Sequence, residues 1–261
     1  MARSLIGGLI AAGVSADTLW VTDPVADIRE ALAADFGIHA GDDNQVLVDA
    51  CDVVVLAVKP QVLEAVATAI HPSRADQLFL TIAAGIRTAA LARWLGGTAS
   101  IVRAMPNTPA LVQSAATGMY AGPDVSAAQR NAAESIMRAA GLVQWVDDEA
   151  LMDAVTALSG SGPAYFFLIM EALEQAGQAL GLPAATARLL TVQTAFGAAR
   201  LALEIEEDPA QLRRNVTSPG GTTEQALRVL QEGDLTGLFD KALTAARDRA
   251  VELAGQLDKP D

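Results

Sequence analysis

A chain of 261 residues, 51% hydrophobic and 19% charged, is globular and long enough for two cores, which excludes a disordered or low-complexity protein. A formal charge of -13 with no basic run is the wrong electrostatics for nucleic acid or an anionic membrane surface, so the expected partners are small molecules and further copies of the chain. One cysteine, Cys51, beside only two histidines, His39 and His71, leaves no disulfide framework and no metal-ligand cluster; no metal is expected, and a reducing cytoplasm fits.

Residues 1–16 have two readings. The charged start, short apolar run and small-residue end match a secretory signal, whereas an amphipathic helix places Leu5, Leu9 and Ala12 on one side and stops at Gly13. No segment reaches the roughly 18 unbroken apolar residues of a membrane span. From Thr18 to about Val146, short apolar runs alternate with helical ones, the pattern of a parallel sheet covered on both faces. Strands are expected at Leu19 to Thr22, Ile38 and His39, Val53 to Val58, Leu78 to Ile82, Ser100 to Met105, Gly118 to Ala121 and Leu142 to Val146. The helices between them are Ala26 to Asp35 (ended by Gly37), Asn44 to Ala50, Gln61 to Ile70, Thr88 to Leu95 (closed by Gly96) and Ser126 to Ala140. Val53 to Val58 is apolar throughout and is expected in the middle of the sheet.

Beyond Asp147 strand signals stop, and residues 148–261 read as a helical domain following an α/β domain at 1–147. Its helices are expected at Glu149 to Leu158, Ala164 to Leu180, Ala184 to Glu206, Pro209 to Asn215, Thr223 to Glu232 and Leu235 to Leu257. Two of them, carrying Ala-Tyr-Phe-Phe-Leu-Ile-Met and Ala-Phe-Gly-Ala-Ala-Arg-Leu-Ala-Leu, are apolar around much of their circumference and need burial on several sides. An intertwined homodimer through this domain is expected.

Four stretches could carry chemistry. In Arg213 to Leu227, Pro219, Gly220 and Gly221 turn the backbone, and Thr222 or Thr223 opens a helix. The free first amides and dipole of that helix suit a carboxylate or phosphate, with hydroxyls from Ser218, Thr222 and Thr223 beside them; an ordinary helix cap has the same composition. Asp23 follows the first strand, where it can accept from a ribose 2'-hydroxyl and disfavours a 2'-phosphate, or serve as a turn residue before Pro24. Val58-Lys59-Pro60 and Ala83-Ala84-Gly85 end the two best strands, where a dinucleotide would pass or a strand would simply stop. A Gly-x-Gly-x-x-Gly fingerprint between strand and helix is absent.

Together these blocks resemble the pyrroline-5-carboxylate reductases. The matching runs are Ala57-Val58-Lys59-Pro60, Ala83-Ala84-Gly85, Arg103-Ala104-Met105-Pro106-Asn107-Thr108-Pro109, Asp153-Ala154-Val155-Thr156 leading into Ser159-Gly160-Ser161-Gly162-Pro163-Ala164-Tyr165, and Val216 to Thr223. Their order and spacing span nearly the whole chain. The resemblance implies an N-terminal Rossmann-like domain and an all-α dimerisation and substrate domain. It implies NADPH or NADH as cofactor and hydride transfer to the C=N carbon of 1-pyrroline-5-carboxylate to give L-proline. It also implies a homodimer, extending to a ring of dimers. Family members begin with a strand and a Gly-x-Gly-x-Met-Ala turn whose end matches Met1-Ala2, so the resemblance favours the helix reading of residues 4–12 and implies a start placed late or a shortened chain. The missing strand would belong in the middle of the sheet, beside an open gap.

The resemblance assigns Thr223 to the catalytic hydroxyl that addresses the ring nitrogen. It assigns Glu149, Asn215, Ser218, Gly220, Gly221, Thr222 and Thr223 to the substrate, and Asp23, Pro24, Asn44, Val58, Lys59, Pro60, Ala83, Ala84 and Gly85 to the cofactor. Glu149 also reads as a first-turn helix acid. Reductases of the β-hydroxyacid type need a lysine in the helical domain, and none lies between Asp147 and Asp240. A non-catalytic dimeric scaffold is the alternative from outside enzymology.

Overall fold

The computed structural model describes residues 1–97 and 99–257. It forms two compact units, residues 1–163 with 245–261, and residues 164–244. The division thus falls after residues 148–163 and again within the last helix.

The first unit runs α1 (Ala2–Ala11), β1 (Trp20–Thr22), α2 (Ala26–Phe36), β2 (His39–Gly41), α3 (Asn44–Ala50), β3 (Val53–Leu56), α4 (Pro60–Thr68), β4 (Leu78–Thr81), α5 (Thr88–Trp94), β5 (Ser100–Met105), β6 (Ala115–Ala121), α6 (Ala127–Arg138), β7 (Gly141–Trp145) and α7 (Leu151–Val155). Local chemistry sets the helix ends. Gly37 closes α2 at φ 68°, Asp43 accepts the first amides of α3, Pro60 opens α4, and Ser126 with Gln129 forms a capping box on α6.

The strands form two sheets. β1 and β2 pair in parallel, and the other five run in the order β3-β4-β5-β6-β7. β1 and β3 share no hydrogen bonds, so the interruption expected in the middle of the strand array falls between these two sheets. β3 is consequently terminal in its sheet and not central as its composition suggests; Val53 and Val55 remain half-exposed, while every residue of β4 is buried. A second departure from the expected parallel order is the antiparallel pairing of β5 with β6. Only a short 3-10 turn, Thr108–Val112, joins them, too little chain for a right-handed crossover.

Alternation along β4 and β5 builds a core on each sheet face. Leu78, Leu80, Val102 and Ala104 meet Met119, Met137 and Ala140 on one face. On the other, Phe79 and Ile101 meet Leu63, Leu91 and Leu95. Burying side chains of this size stabilises the fold by about 1.5–3 kcal/mol each. A third cluster, Ile6, Val21, Leu32 and Ile38, covers the two-stranded sheet. α1 contributes Leu5 to the first core and Ile6 to the third, so its buried face is Leu5, Ile6 and Gly8 and excludes the exposed Ala12. Gly8 is there because a Cβ would collide with the Ala139 carbonyl oxygen.

The helix expected from Glu149 to Leu158 changes pitch. After α7, residues Thr156–Gly160 form a π turn in which Ser161 N–H donates to the Thr156 carbonyl at 2.9 Å. The Thr156 and Ser159 hydroxyls bond the Met152 and Val155 carbonyls at 2.8 and 3.0 Å.

The second unit comprises α8 (Gly162–Ala179) from Ala164 on, α9 (Ala184–Glu204), α10 (Pro209–Asn215), α11 (Thr222–Glu232) and the start of α12 (Leu235–Leu257). Large apolar side chains are exposed along it: Phe166, Phe167 and Leu168 on α8, Leu189 and Phe196 on α9, Val229 and Leu230 on α11. No helix among the described residues is long and apolar enough to cross a membrane.

Candidate functional site

The turns singled out in the sequence fall into two groups, one in each unit. In the first unit β3, β4 and β5 are parallel, so the turns following them leave from the same end of the sheet. Lys59 is the N-cap of α4, exposed and without an ion pair among the described residues; Val58 before it is half-buried against the second core, and Pro60 begins the helix. After β4, Ala83 is buried and its amide donates to the Thr81 hydroxyl at 3.3 Å. Ala84 follows, then Gly85 at φ 77°, which a side chain would strain and where a Cβ would lie 3.5 Å from the Ala254 backbone nitrogen.

Asp23 stands at the carboxyl end of β1. Its Oδ1 accepts the Val25 amide at 2.9 Å around Pro24, and its carbonyl accepts from Arg29 at 2.7 Å. Asn44 opens α3 and its Oδ1 accepts the Thr22 hydroxyl at 2.8 Å, tying α3 to β1. Small residues at the strand ends and an unpaired cation fit a dinucleotide, whose pyrophosphate needs close backbone approach and positive charge.

In the second unit α10 ends at Asn215 and the chain turns through Ser218 to Gly221, with Gly220 at φ 70° and the Gly221 amide donating to the Ser218 carbonyl at 3.0 Å. α11 then begins at Thr222, and no side chain caps it. A second amide of the turn is also used: Gly220 N–H donates to Glu224 Oε2 at 2.8 Å. Ser218, Gly220 and Thr222 are exposed; Gly221 and Thr223 are half-buried. The turn therefore opens outward with the positive end of α11 behind it, the arrangement that holds an anion. Beside it Arg213, Arg214, Thr217, Glu224 and Arg228 border an open depression of about 420 Å³.

The two other residues implied for the substrate by resemblance have hydrogen-bond partners within the fold. Asn215 donates to Glu207 at 2.5 Å and accepts from Gln211 at 2.7 Å. Glu149 binds Thr88 by both carboxylate oxygens, from the amide at 2.7 Å and the hydroxyl at 3.0 Å, and lies 3.5 Å from Arg103. Arg103 is 3% exposed in β5 and also faces Asp153 at 3.6 Å, whose buried Oδ1 makes no hydrogen bond.

Asn107, 9% exposed, is a further structural residue that sequence patterns do not assign. Its amide donates to the Ser159 carbonyl at 2.9 Å and accepts the Ala116 amide at 3.0 Å, joining β6 to the π turn. The available signal was an amide side chain two residues beyond the end of β5, directly after Pro106.

Comparison with known proteins matches residues 149–253 to the family model for pyrroline-5-carboxylate reductase dimerisation and residues 1–85 to that for NADP oxidoreductase, coenzyme F420-dependent. A pyrroline-5-carboxylate reductase of Pseudomonas aeruginosa is 52% identical over 98% of this chain and 94% of its own. The solved pyrroline-5-carboxylate reductase of Coxiella burnetii superposes with a TM-score of 0.91 at 49% identity, covering 97% of this chain and 94% of its own. A pyrroline carboxylate reductase of Plasmodium falciparum, solved with NADP bound, gives 0.84 at 27% identity over 96% of this chain and 93% of its own.

Proposed function

The chain belongs to the pyrroline-5-carboxylate reductase family, and on that premise we propose how its residues divide the work of reducing 1-pyrroline-5-carboxylate to L-proline. It is an NAD(P)H-dependent oxidoreductase of proline biosynthesis. The reduced nicotinamide supplies the hydride. The turn from Ser218 to Thr222 holds the substrate carboxylate by backbone amides and the Ser218 hydroxyl. Thr223, whose hydroxyl has no partner among the described residues, bonds the ring nitrogen; this orients the C=N carbon and stabilises the nitrogen as its charge changes. A hydroxyl is a weak acid, so positioning is its main contribution. Lys59, with Val58 and Pro60, the turn Ala83 to Gly85, and Asp23, Pro24 and Asn44 receive the cofactor.

The exposed apolar faces of α8, α9 and α11 support a homodimer through the helical unit, the part of the chain that matches the dimerisation model. The same reading extends to a ring of dimers in the cytoplasm, which sedimentation and fractionation test. The outward-facing, side-chain-uncapped start of α11 is the observation that carries the substrate assignment. Thr223→Ala is expected to lower kcat about 100-fold or more, the scale of losing one well-placed transition-state donor. Its melting temperature should stay close to that of the parent. An unchanged kcat removes Thr223 from the mechanism.

A further inference from the structure

We propose that Asp42 is a specificity-determining residue for the cofactor: by neutralising the Arg29 guanidinium it withholds that cation from a 2'-phosphate on the adenosine ribose. This rests on the reductase reading above, with the dinucleotide passing the carboxyl ends of β1 and β2. The two strands are parallel and Thr22 is in register with Gly41, so the residues that follow them, Asp23 and Asp42, leave at the same level. The Asp23 amide still donates to the Gly41 carbonyl at 3.4 Å, which carries the pairing one step past the strands. A carboxylate at such a strand end accepts from a ribose 2'-hydroxyl, whereas a cation there accommodates a 2'-phosphate. Both kinds of group are present here, and the balance between them decides the preference.

Arg29, the fourth residue of α2, brings the cation. Its Nη1 donates to the Asp23 carbonyl at 2.7 Å, and its Nη2 lies 3.8 Å from Asp42 Oδ2. Its side chain is 19% exposed against 77% for Asp42, so the guanidinium is packed in place while the carboxylate stands in solvent. One positive charge is thus shared between two aspartates, and a dianionic 2'-phosphate meets a net negative strand end. A ribose hydroxyl meets no such penalty, because Asp23 spends only Oδ1 on the Val25 amide and keeps an oxygen to accept with. Without the Asp42 charge, Nη2 becomes available to a phosphate oxygen while Nη1 stays on the Asp23 carbonyl. At 3.8 Å and largely in water the Arg29–Asp42 pair adds little to stability, so removing it tests selectivity and leaves the fold intact.

The test reads binding and not turnover. Dissociation constants for NADH and NADPH come from fluorescence titration of the full chain, and the quantity followed is their ratio. Asp42→Asn should shift that ratio toward NADPH about tenfold, the scale of one charge-assisted hydrogen bond gained. NADH itself should bind within about twofold of the parent, since its ribose loses no contact. The shift should shrink with added salt, as a contact between exposed charges does. Adding Arg29→Gln to Asp42→Asn should bring the ratio back to within about twofold of the parent, because the cation that gained the phosphate is gone. Arg29→Gln alone should move it little, its charge in the parent being already held by Asp42. An Asp42 that serves only the fold would weaken both dinucleotides together, and an unmoved ratio in Asp42→Asn overturns the proposal. A shift that survives in the double variant overturns it as well, since Asp42 would then act without Arg29. A parent protein that binds neither dinucleotide refutes the cofactor site and this proposal together; one that binds both with an unmoved ratio in Asp42→Asn refutes the proposal alone and leaves the reductase reading standing.

Discussion

Asn107→Ala removes a two-ended clamp and should cost the first unit measurable stability. The amide oxygen accepts the Ala116 N–H at 3.0 Å and the amide nitrogen donates to the Ser159 carbonyl at 2.9 Å, at a site 9% exposed. A buried partner left without its bond costs about 1–3 kcal/mol. Ala116 and Ser159 are half-buried, so water can reach part of each, and the lower half of that range applies to both ends. The expected total is about 2–4 kcal/mol, read as a lower urea midpoint at unchanged slope and a melting temperature about 4–16 °C lower. Asn107→Asp sharpens the test, because an oxygen then faces the Ser159 carbonyl. Burial and that carbonyl both disfavour the charged carboxylate, so its folded pKa rises above the unfolded value of about 3.9. The penalty is absent below that value and grows as pH climbs through it, so the aspartate variant should match or fall below the alanine one at pH 7 and recover in acid. An aspartate variant as stable as the parent at pH 7 would refute the clamp.

Two further outcomes follow from other parts of the molecule. Trp145 donates its indole N–H to Glu134 at 2.6 Å, and this bond, then the one from Arg138, holds the Glu134 carboxyl below the usual glutamate range. The group therefore adds stability above the ordinary glutamate pKa that is lost as pH falls through its lowered value; Trp145→Phe should move the Glu134 carboxyl titration upward by NMR, and an unmoved titration contradicts the assignment. Leu189, 69% exposed on α9, should lie in the dimer contact, so Leu189→Glu should weaken dimerisation by about 100-fold or more in sedimentation velocity through a desolvated charge. A dimer of unchanged strength places the contact elsewhere.

What could be read directly from the residues is the part of the structure that short-range geometry controls. Gly37 at positive φ closes α2, Ser126 and Gln129 cap α6, and the Pro219-Gly220-Gly221 turn leads into a helix at Thr222 with Gly220 left-handed. Strand and helix identities follow from apolar periods of 2 and 3.6, and the family follows from motif blocks whose order spans the chain. Elements whose character depends on remote neighbours were not legible. The composition of Val53 to Val58 suits a central strand, yet its place in the sheet depends on which strand pairs beside it. The β5–β6 pairing is antiparallel because the connection is short, and the helix after Glu149 widens to a π turn where Asn107 and the Thr156 and Ser159 hydroxyls compete for its carbonyls. Asn215 and Glu149 carry the residue types a substrate site wants, but whether a side chain is free depends on what the fold brings against it. For Glu149 that partner is Thr88, 61 positions earlier, and no local pattern records a contact made across that distance. The sequence by itself determined the elements, their turns and the family; the tertiary structure alone decided which polar groups remain free for a ligand and which are consumed in holding the fold, because hydrogen-bond partners are assigned by packing and not by spacing along the chain.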